Sequence, residues 1–295
     1  MIQTQAVTPD LRDAVEAIRT GCGHQSASHA FPSLFLWQKD LALSLCLRED
    51  MYAVRSACGE EPGWFFPCGE QQAVCAFLEE LLQEEPSLRL KYLRKEDTLL
   101  LEDFFPGRFR ISPADDASEY LYDRREYMET AGKKYEDIRW NINRLKSRHE
   151  LRTEPLGPSN LADVRDMLAG WKPRAESEYF SPDHETAVLM LQYYDFLGMT
   201  GAVVYADGTA AALAAGFPLS GGTYDIAFSK APELERGLQF YVRRELIAML
   251  PAQYTIINGE EDLGIPGLRR SKLQENPIGR IEMFTAYEQK GQPMD

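Results

Sequence analysis

Between positions 258 and 272 the chain gathers side chains that can move protons and hold anions: Asn258, Glu260, Asp262, Arg269, Arg270 and Lys272. A carboxylate can accept a proton from an attacking group, and carboxamides, guanidinium groups and amines can steady an anion or a developing oxyanion. The preceding residues 254–257, Y-T-I-I, read as a short buried strand, because β-branched and aromatic residues run without interruption. If strand geometry continues, Asn258, Glu260 and Asp262 share one face. A helix is expected after Gly264, with Pro266 in its first turn, Asp262 just ahead of its N-terminus and Pro277 as its stop. Polar side chains at the carboxyl end of a strand that feeds a helix are a frequent site in open α/β sheets. A capped strand–helix turn with a solvated basic face accounts for the same residues, and both readings stand.

A second concentration lies upstream. Residues 124–152 carry nine Lys and Arg against five Asp and Glu, in a chain whose formal net charge is −14. A basic cluster that persists against the overall composition favours a local anion site. Gly132-Lys133-Lys134, just before a helix, is the best place for gripping phosphate or carboxylate. In that helix Ile138, Ile142 and Leu145 face a core at helical spacing, leaving Arg139, Asn143 and Lys146 on the edges. An interdomain helix with ordinary surface lysines is the alternative.

The elements that must position these groups follow from the whole chain. Its 295 residues, 44% apolar and 26% charged, describe a globular α/β protein of two domains. No run is apolar enough to span a bilayer, no secretory signal is read at the start, and five cysteines without framework spacing read as reduced thiols. The expected location is cytoplasmic. The charge argues against general attraction to nucleic acid or an anionic membrane. Cys22, His24 and His29 share a loop but lack a fourth ligand for a metal, and Cys68 and Cys75 read as small buried apolar residues.

Along the first half, helices are expected over 9–20 and 73–82, and strands over 41–47, 51–57, 63–67 and 88–93. Residues 98–103 read as a further strand. From position 150 the order β-α-α-β-β-β-α-β-α-β is expected: strands over 151–156, 201–205, 210–219, 223–229, 254–257 and 280–286, and helices over 160–171, 183–199 and 238–250. Val188, Leu189, Leu191, Tyr194 and Leu197 are read as the inward side of the long central helix, and Leu238, Tyr241, Val242, Leu246 and Met249 of the next. Periodicity alone reaches an α/β chain with a meander and a crossover.

The string N-G-E-E-D-L-G-I-P-G-L-R-R-S-K-L-Q-E-N-P at 258–277 resembles the signature of the phosphatidylglycerol lysyltransferase C-terminal-like family, a branch of tandem GNAT-like proteins. The stretch from Glu119 to Leu145 resembles a second family motif, with Trp140 where the family often has Asn and Leu145 in place of Phe. W-F-F-P-C-G at 64–69 resembles the family's turn before a helix. The resemblance implies an α/β (α+β) fold of two tandem GNAT-like domains, each a mixed twisted sheet flanked by helices. The expected division is a degenerate domain over 1–115, a basic connecting helical segment over 116–149, and a site-bearing domain over 150–295.

The lysyltransferase branch passes an aminoacyl group from tRNA to a lipid head group, so the resemblance implies transfer of an acyl group from an activated, aminoacyl-tRNA-like donor to an amine or hydroxyl in a cleft between the halves. Asp225, Glu260 and Asp262 are then the carboxylate candidates. Lys133, Lys134, Arg139, Asn143, Asn258, Arg269 and Lys272 would bind the donor, with tRNA as a candidate partner. A non-catalytic protein holding an anionic small molecule or peptide is the second reading. An acetyl-coenzyme A-dependent N-acetyltransferase is the third. Coenzyme A is disfavoured, because only Arg236-Gly237 matches the expected pyrophosphate loop and Glu233 and Glu235 add negative charge there. No serine-nucleophile elbow, Walker loop, zinc pair or dinucleotide fingerprint is present.

Overall fold

The protein is described from a computed structural model over residues 2–59, 62–85, 87–170, 180–231 and 235–289. The first half opens with α1 (Arg12–Gly21), which buries Val15 and Arg19, and α2 (Phe31–Trp37), which starts at a proline-bearing first turn and buries Phe31, Leu34, Phe35 and Leu36. Then come β1 (Leu43–Leu47), β2 (Met51–Ser56), β3 (Gly63–Phe65) and β4 (Cys68–Gly69). Helix α3 (Gln71–Glu84) presents Val74, Phe77, Leu78 and Leu81 to the core at the spacing of one helical face. Strand β5 (Arg89–Leu93) follows.

Residues 98–103 are not a strand. They belong to α4 (Lys95–Phe104), and the reason is local. The Asp97 carboxylate accepts from the Arg94 backbone N–H at 2.8 Å and from its guanidinium, closing a capping box that starts a helix. The run T-L-L-L offers either period, and the cap decides it: Thr98 and Leu101 are buried, while Leu99 and Phe104 are exposed.

After β6 (Phe109–Pro113) the chain enters a second sheet with β7 (Glu119–Asp123), so the segment expected to be helical opens as a strand. The remaining elements are α5 (Arg124–Glu129), α6 (Glu136–Arg148), β8 (Leu151–Pro155), α7 (Leu161–Gly170), α8 (Phe180–Tyr193), β9 (Thr200–Ala206), β10 (Thr209–Pro218), β11 (Thr223–Lys230), α9 (Leu238–Met249), β12 (Ile256–Asn258), α10 (Pro266–Gln274), β13 (Gly279–Ile281) and β14 (Phe284–Glu288). The single closing strand expected over 280–286 is therefore two strands, and they join different sheets.

The first sheet runs β1-β2-β3-β5-β14-β6, with β4 also on β2, and is antiparallel except where β3 meets β5. The second runs β13-β7-β12-β11-β10-β9-β8, and β11 lies parallel to β12 across the α9 crossover. A bulge between Ala215 and Phe217 interrupts the pairing of β10 with β11. One compact unit comprises Met1–Glu119, Glu261–Leu268 and Arg280–Asp295; the other comprises Tyr120–Glu260 and Arg269–Gly279. The serial division at 115 and 149 follows chain order, whereas these units are interleaved along the chain.

In the first unit Trp64, Phe77, Leu78, Leu90 and Leu93 pack together with Ala286. In the second, α9 contributes Leu238, Val242, Leu246 and Ile247 against Ala212, Ala214, Tyr224, Ile226 and Ile257 of the sheet, and α6 adds Ile142 and Leu145. Each fully buried aliphatic side chain of this kind contributes about 1.5–3 kcal/mol. Met249 and Val188 depart from the expected stripes and are 37% and 42% exposed, because the last turn of α9 ends at the surface and α8 turns Ala187 and Met190 inward beside the expected Leu191. Among the described residues, no helix is long and apolar enough to cross a membrane.

Candidate functional site

Asp225 sits in β11, directly in register with Asn258 of the parallel neighbour β12. Tyr224 and Ile226 point into the α9 core, so alternation puts Asp225 on the opposite sheet face, together with Asn258. Both residues are fully buried. The sequence pattern thus brings a carboxylate and a carboxamide side by side.

Strand geometry stops at Asn258. The Asn258 carboxamide oxygen accepts from the Glu260 backbone N–H at 2.8 Å, and Glu260 takes a left-handed φ of 59°. The expected alternation of Asn258, Glu260 and Asp262 is broken there, because an Asx-type turn competes with the extended chain. The backbone of Tyr120 grips the turn on both sides, donating to the Glu260 carbonyl and accepting from Gly259. Lys272 is 7% exposed and its ammonium donates to the Gly259 carbonyl. Gly259 has no room for a side chain: a Cβ would lie 2.8 Å from the Tyr122 ring and 2.9 Å from the Arg243 guanidinium. Glu260 itself is half-buried.

A buried polar group that sequence reasoning missed secures α10 beside this turn. Arg243 of α9 places Nη1 2.9 and 2.7 Å from the two carboxylate oxygens of Glu275. The Tyr127 hydroxyl donates to Glu275 at 2.9 Å, and the Tyr122 hydroxyl donates to the Lys272 carbonyl at 3.1 Å. Burial alone would lower the Arg243 guanidinium, but Glu275 and the buried tyrosines outweigh it and raise it. Tyr127 stacks on Phe240 with ring centroids 4.3 Å apart. The available signal was Tyr122 in E-Y-L-Y-D with Tyr127 in the R-R-E-Y-M that follows; nothing local pointed to Arg243 or Glu275.

The basic segment forms a surface beginning with a short 3-10 turn over Lys133–Tyr135. Lys133 and Lys134 are exposed, and Lys134 pairs with Glu126, which raises its ammonium. Its carbonyl accepts from the Asn276 carboxamide at 3.2 Å, tying this turn to the residues after α10. Arg139 turns back onto the loop, donating to the carbonyls of Thr130 and Gly132 at 2.5 and 2.7 Å. It braces the Gly132 loop from behind. Asn143 is exposed on α6, and Arg269 is half-buried on α10.

Asp262 belongs to the other unit. It is fully buried, its carboxylate accepts from the Gly264 N–H at 2.9 Å, and its carbonyl accepts from Ile265 at 2.9 Å. It therefore organises the turn that leads into α10.

At the start of α9, Gly237 has φ 97° and packs on α6, where a Cβ would meet the Asn141 carbonyl carbon at 3.0 Å. Glu235 pairs with Arg148 at 3.2 Å. Glu233 lies outside the described residues. The α9 N-terminus thus carries a paired carboxylate ahead of it and the backbone of α6 against it. Among the described residues no cluster of His, Cys, Asp and Glu could hold a metal ion.

A family profile described as "Phosphatidylglycerol lysyltransferase, C-terminal" matches residues 20–287. No curated protein matches the chain. Among solved structures, a conserved protein of unknown function from Bacteroides thetaiotaomicron VPI-5482 superposes with a TM-score of 0.89 at 24% identity, covering 98% of this chain and 100% of that one. L-PGS from Bacillus licheniformis gives a TM-score of 0.68 at 17% identity, covering 98% and 94%. FemX gives 0.56 at 9% identity, covering 97% of each chain.

Proposed function

The chain belongs to the phosphatidylglycerol lysyltransferase C-terminal family and has its tandem GNAT-like fold, and from that premise we propose that it transfers an aminoacyl group from an ester donor of the aminoacyl-tRNA type to an amine or hydroxyl acceptor. The observation that carries this reading is the extent of the family match, which takes in both sheets and every residue named for the site.

Glu260 is the proton acceptor in this reading. Asp225 and Asp262 are fully buried, whereas Glu260 is half-buried at a turn whose backbone is held by Asn258, Tyr120 and Lys272. The acceptor nitrogen or oxygen attacks the ester carbonyl carbon, the new C–N or C–O bond forms, and the ester C–O bond breaks. The acceptor's proton passes to Glu260 and from it to the departing donor oxygen. Lys133 and Lys134 supply positive charge for a polyanionic donor, Arg139 keeps their loop in shape, and Asn143 and Arg269 extend the polar surface. Asn258 supports the turn from the sheet, with Asp225 beside it in register on the neighbouring strand.

A second reading, a protein that binds an anionic small molecule or peptide without catalysis, is favoured by one observation: Asp262 spends its carboxylate on the Gly264 N–H, as a structural cap does.

The test is to offer tRNA charged with radiolabelled amino acids, together with primary amines, to the native chain and to Glu260→Gln. Label moving from ester to amide, slowed about 10²- to 10⁴-fold in Glu260→Gln, supports the transferase. A melting temperature that rises with small anions, equally in both proteins and without label transfer, supports the binder. A rise with acetyl-coenzyme A alone would establish the coenzyme reading instead.

A further inference from the structure

The first unit holds a pair of thiols that aminoacyl transfer does not use. Cys22 follows the last turn of α1, and Cys68 stands in β4, yet their sulfurs are 3.4 Å apart across 46 positions of sequence. Cys22 is exposed and Cys68 is 2% exposed, so one thiol meets solvent and the other waits behind it. Both line a cavity of about 310 Å3, together with His24, Phe66, Arg94 and Asp97. His24 is 2% exposed, and its Nδ1 makes no hydrogen bond among the described residues.

We propose that Cys22 and Cys68 are a redox-active dithiol, oxidised to an intramolecular disulfide by a low-molecular-weight disulfide that enters this cavity. The geometry is the first reason. A disulfide needs the sulfurs at about 2 Å, and rotation of a side chain at a helix terminus can supply the remaining travel. The division of labour is the second, since an accessible attacking thiol backed by a buried resolving thiol is the arrangement such exchange requires. Electrostatics agree: a hydrogen bond from Cys68 is the main cause holding the Cys22 thiol down to about 6, with the His24 N–H and Arg94 assisting, while Cys68 is pushed up.

The reaction balances as follows. The Cys22 thiolate attacks one sulfur of the small disulfide, forming a mixed disulfide and releasing one thiolate. The Cys68 sulfur then attacks Cys22 Sγ, breaking the mixed bond and releasing the second thiolate, which takes up the Cys68 proton. Two protein thiols are oxidised by two electrons, and one small disulfide is reduced to two thiols.

The test equilibrates the full chain in buffers of rising oxidised-to-reduced glutathione ratio, quenches with acid, alkylates and maps the peptides. The expected product is a Cys22–Cys68 cross-link that forms before Cys58, also exposed, is fully glutathionylated, while Cys46 and Cys75 stay reduced. Cys68→Ser should trap glutathione on Cys22 several-fold faster than on Cys58, and Cys22→Ser should abolish the cross-link. Mapping of the unsubstituted chain carries the test if either variant fails to fold. Full glutathionylation of Cys58 with Cys22 and Cys68 unlinked would overturn the proposal, as would a cross-link from either of them to another cysteine.

Discussion

Arg243 of α9 and Glu275, just beyond α10, share two charge-assisted hydrogen bonds out of reach of water. They lie 32 positions apart, and their pairing joins the crossover helix to the helix that carries Arg269 and Lys272. Removing one partner strands a charge that cannot recover its hydration. Glu275→Ala should destabilise the protein by about 3–5 kcal/mol in urea titrations, and Arg243→Met with Glu275→Leu should recover most of that loss. A double variant no more stable than the single one would show that the tyrosine hydroxyls, rather than the ion pair, dominate there.

Glu260→Gln keeps the size of the side chain and the left-handed turn, so it should change stability by less than about 1 kcal/mol while abolishing most transfer. The contrast between melting temperature and rate separates a proton acceptor from a structural carboxylate. Asp262→Ala should behave in the opposite sense, losing stability with the Gly264 N–H bond that only a side-chain oxygen can accept.

Gly259→Ala should cost about 1–3 kcal/mol, because its Cβ would be driven against Tyr122 and Arg243. The change also presses on the carbonyl that Lys272 holds, so transfer should fall along with stability. Normal activity in a destabilised Gly259→Ala would separate this turn from the chemistry.

His29 gives the fold a pH dependence with a definite sign. Its Nε2 donates to the Phe66 carbonyl at 2.9 Å, and the Ser28 hydroxyl meets Nδ1 at 3.0 Å, so the ring is held neutral. Burial pushes it down to about 3 from an ordinary 6.5. Between those values the unfolded chain binds a proton that the folded chain does not, so stability is fully present above pH 6.5 and declines as the pH falls. His29 contributes about 1.4 kcal/mol per pH unit to that slope, measured by chemical denaturation, and the slope should fall by about that amount in His29→Gln. His24 is lowered in the same direction by burial, and then by its neighbour His29, so a residual slope should persist in that variant.

Much of the architecture was legible because it is written in periodicity. The stripe of α3, the meander of β9, β10 and β11, and the core face of α6 all follow from local spacing. Residues 98–103 were misread because three consecutive leucines fit either period, and a cap at Arg94 and Asp97 made the choice. The alternation after Asn258 failed for a similar reason: one carboxamide accepting from a backbone N–H two residues on turned a strand into a bend. Arg243 with Glu275, and Cys22 with Cys68, were invisible because only tertiary structure brings such distant positions together. Arg139 was read as a ligand group, yet its guanidinium reaches the carbonyls of its own loop.

The position of β14 bears on how the protein is made. Strand β5 does not pair with β6; β14 lies between them and bonds to both. A nascent chain that has emerged only as far as α10 therefore presents two facing rows of unsatisfied backbone groups in its first sheet. That sheet is completed only once residues 284–288 are free to pair, so β5 and β6 wait on a segment far along the chain before their facing edges are satisfied.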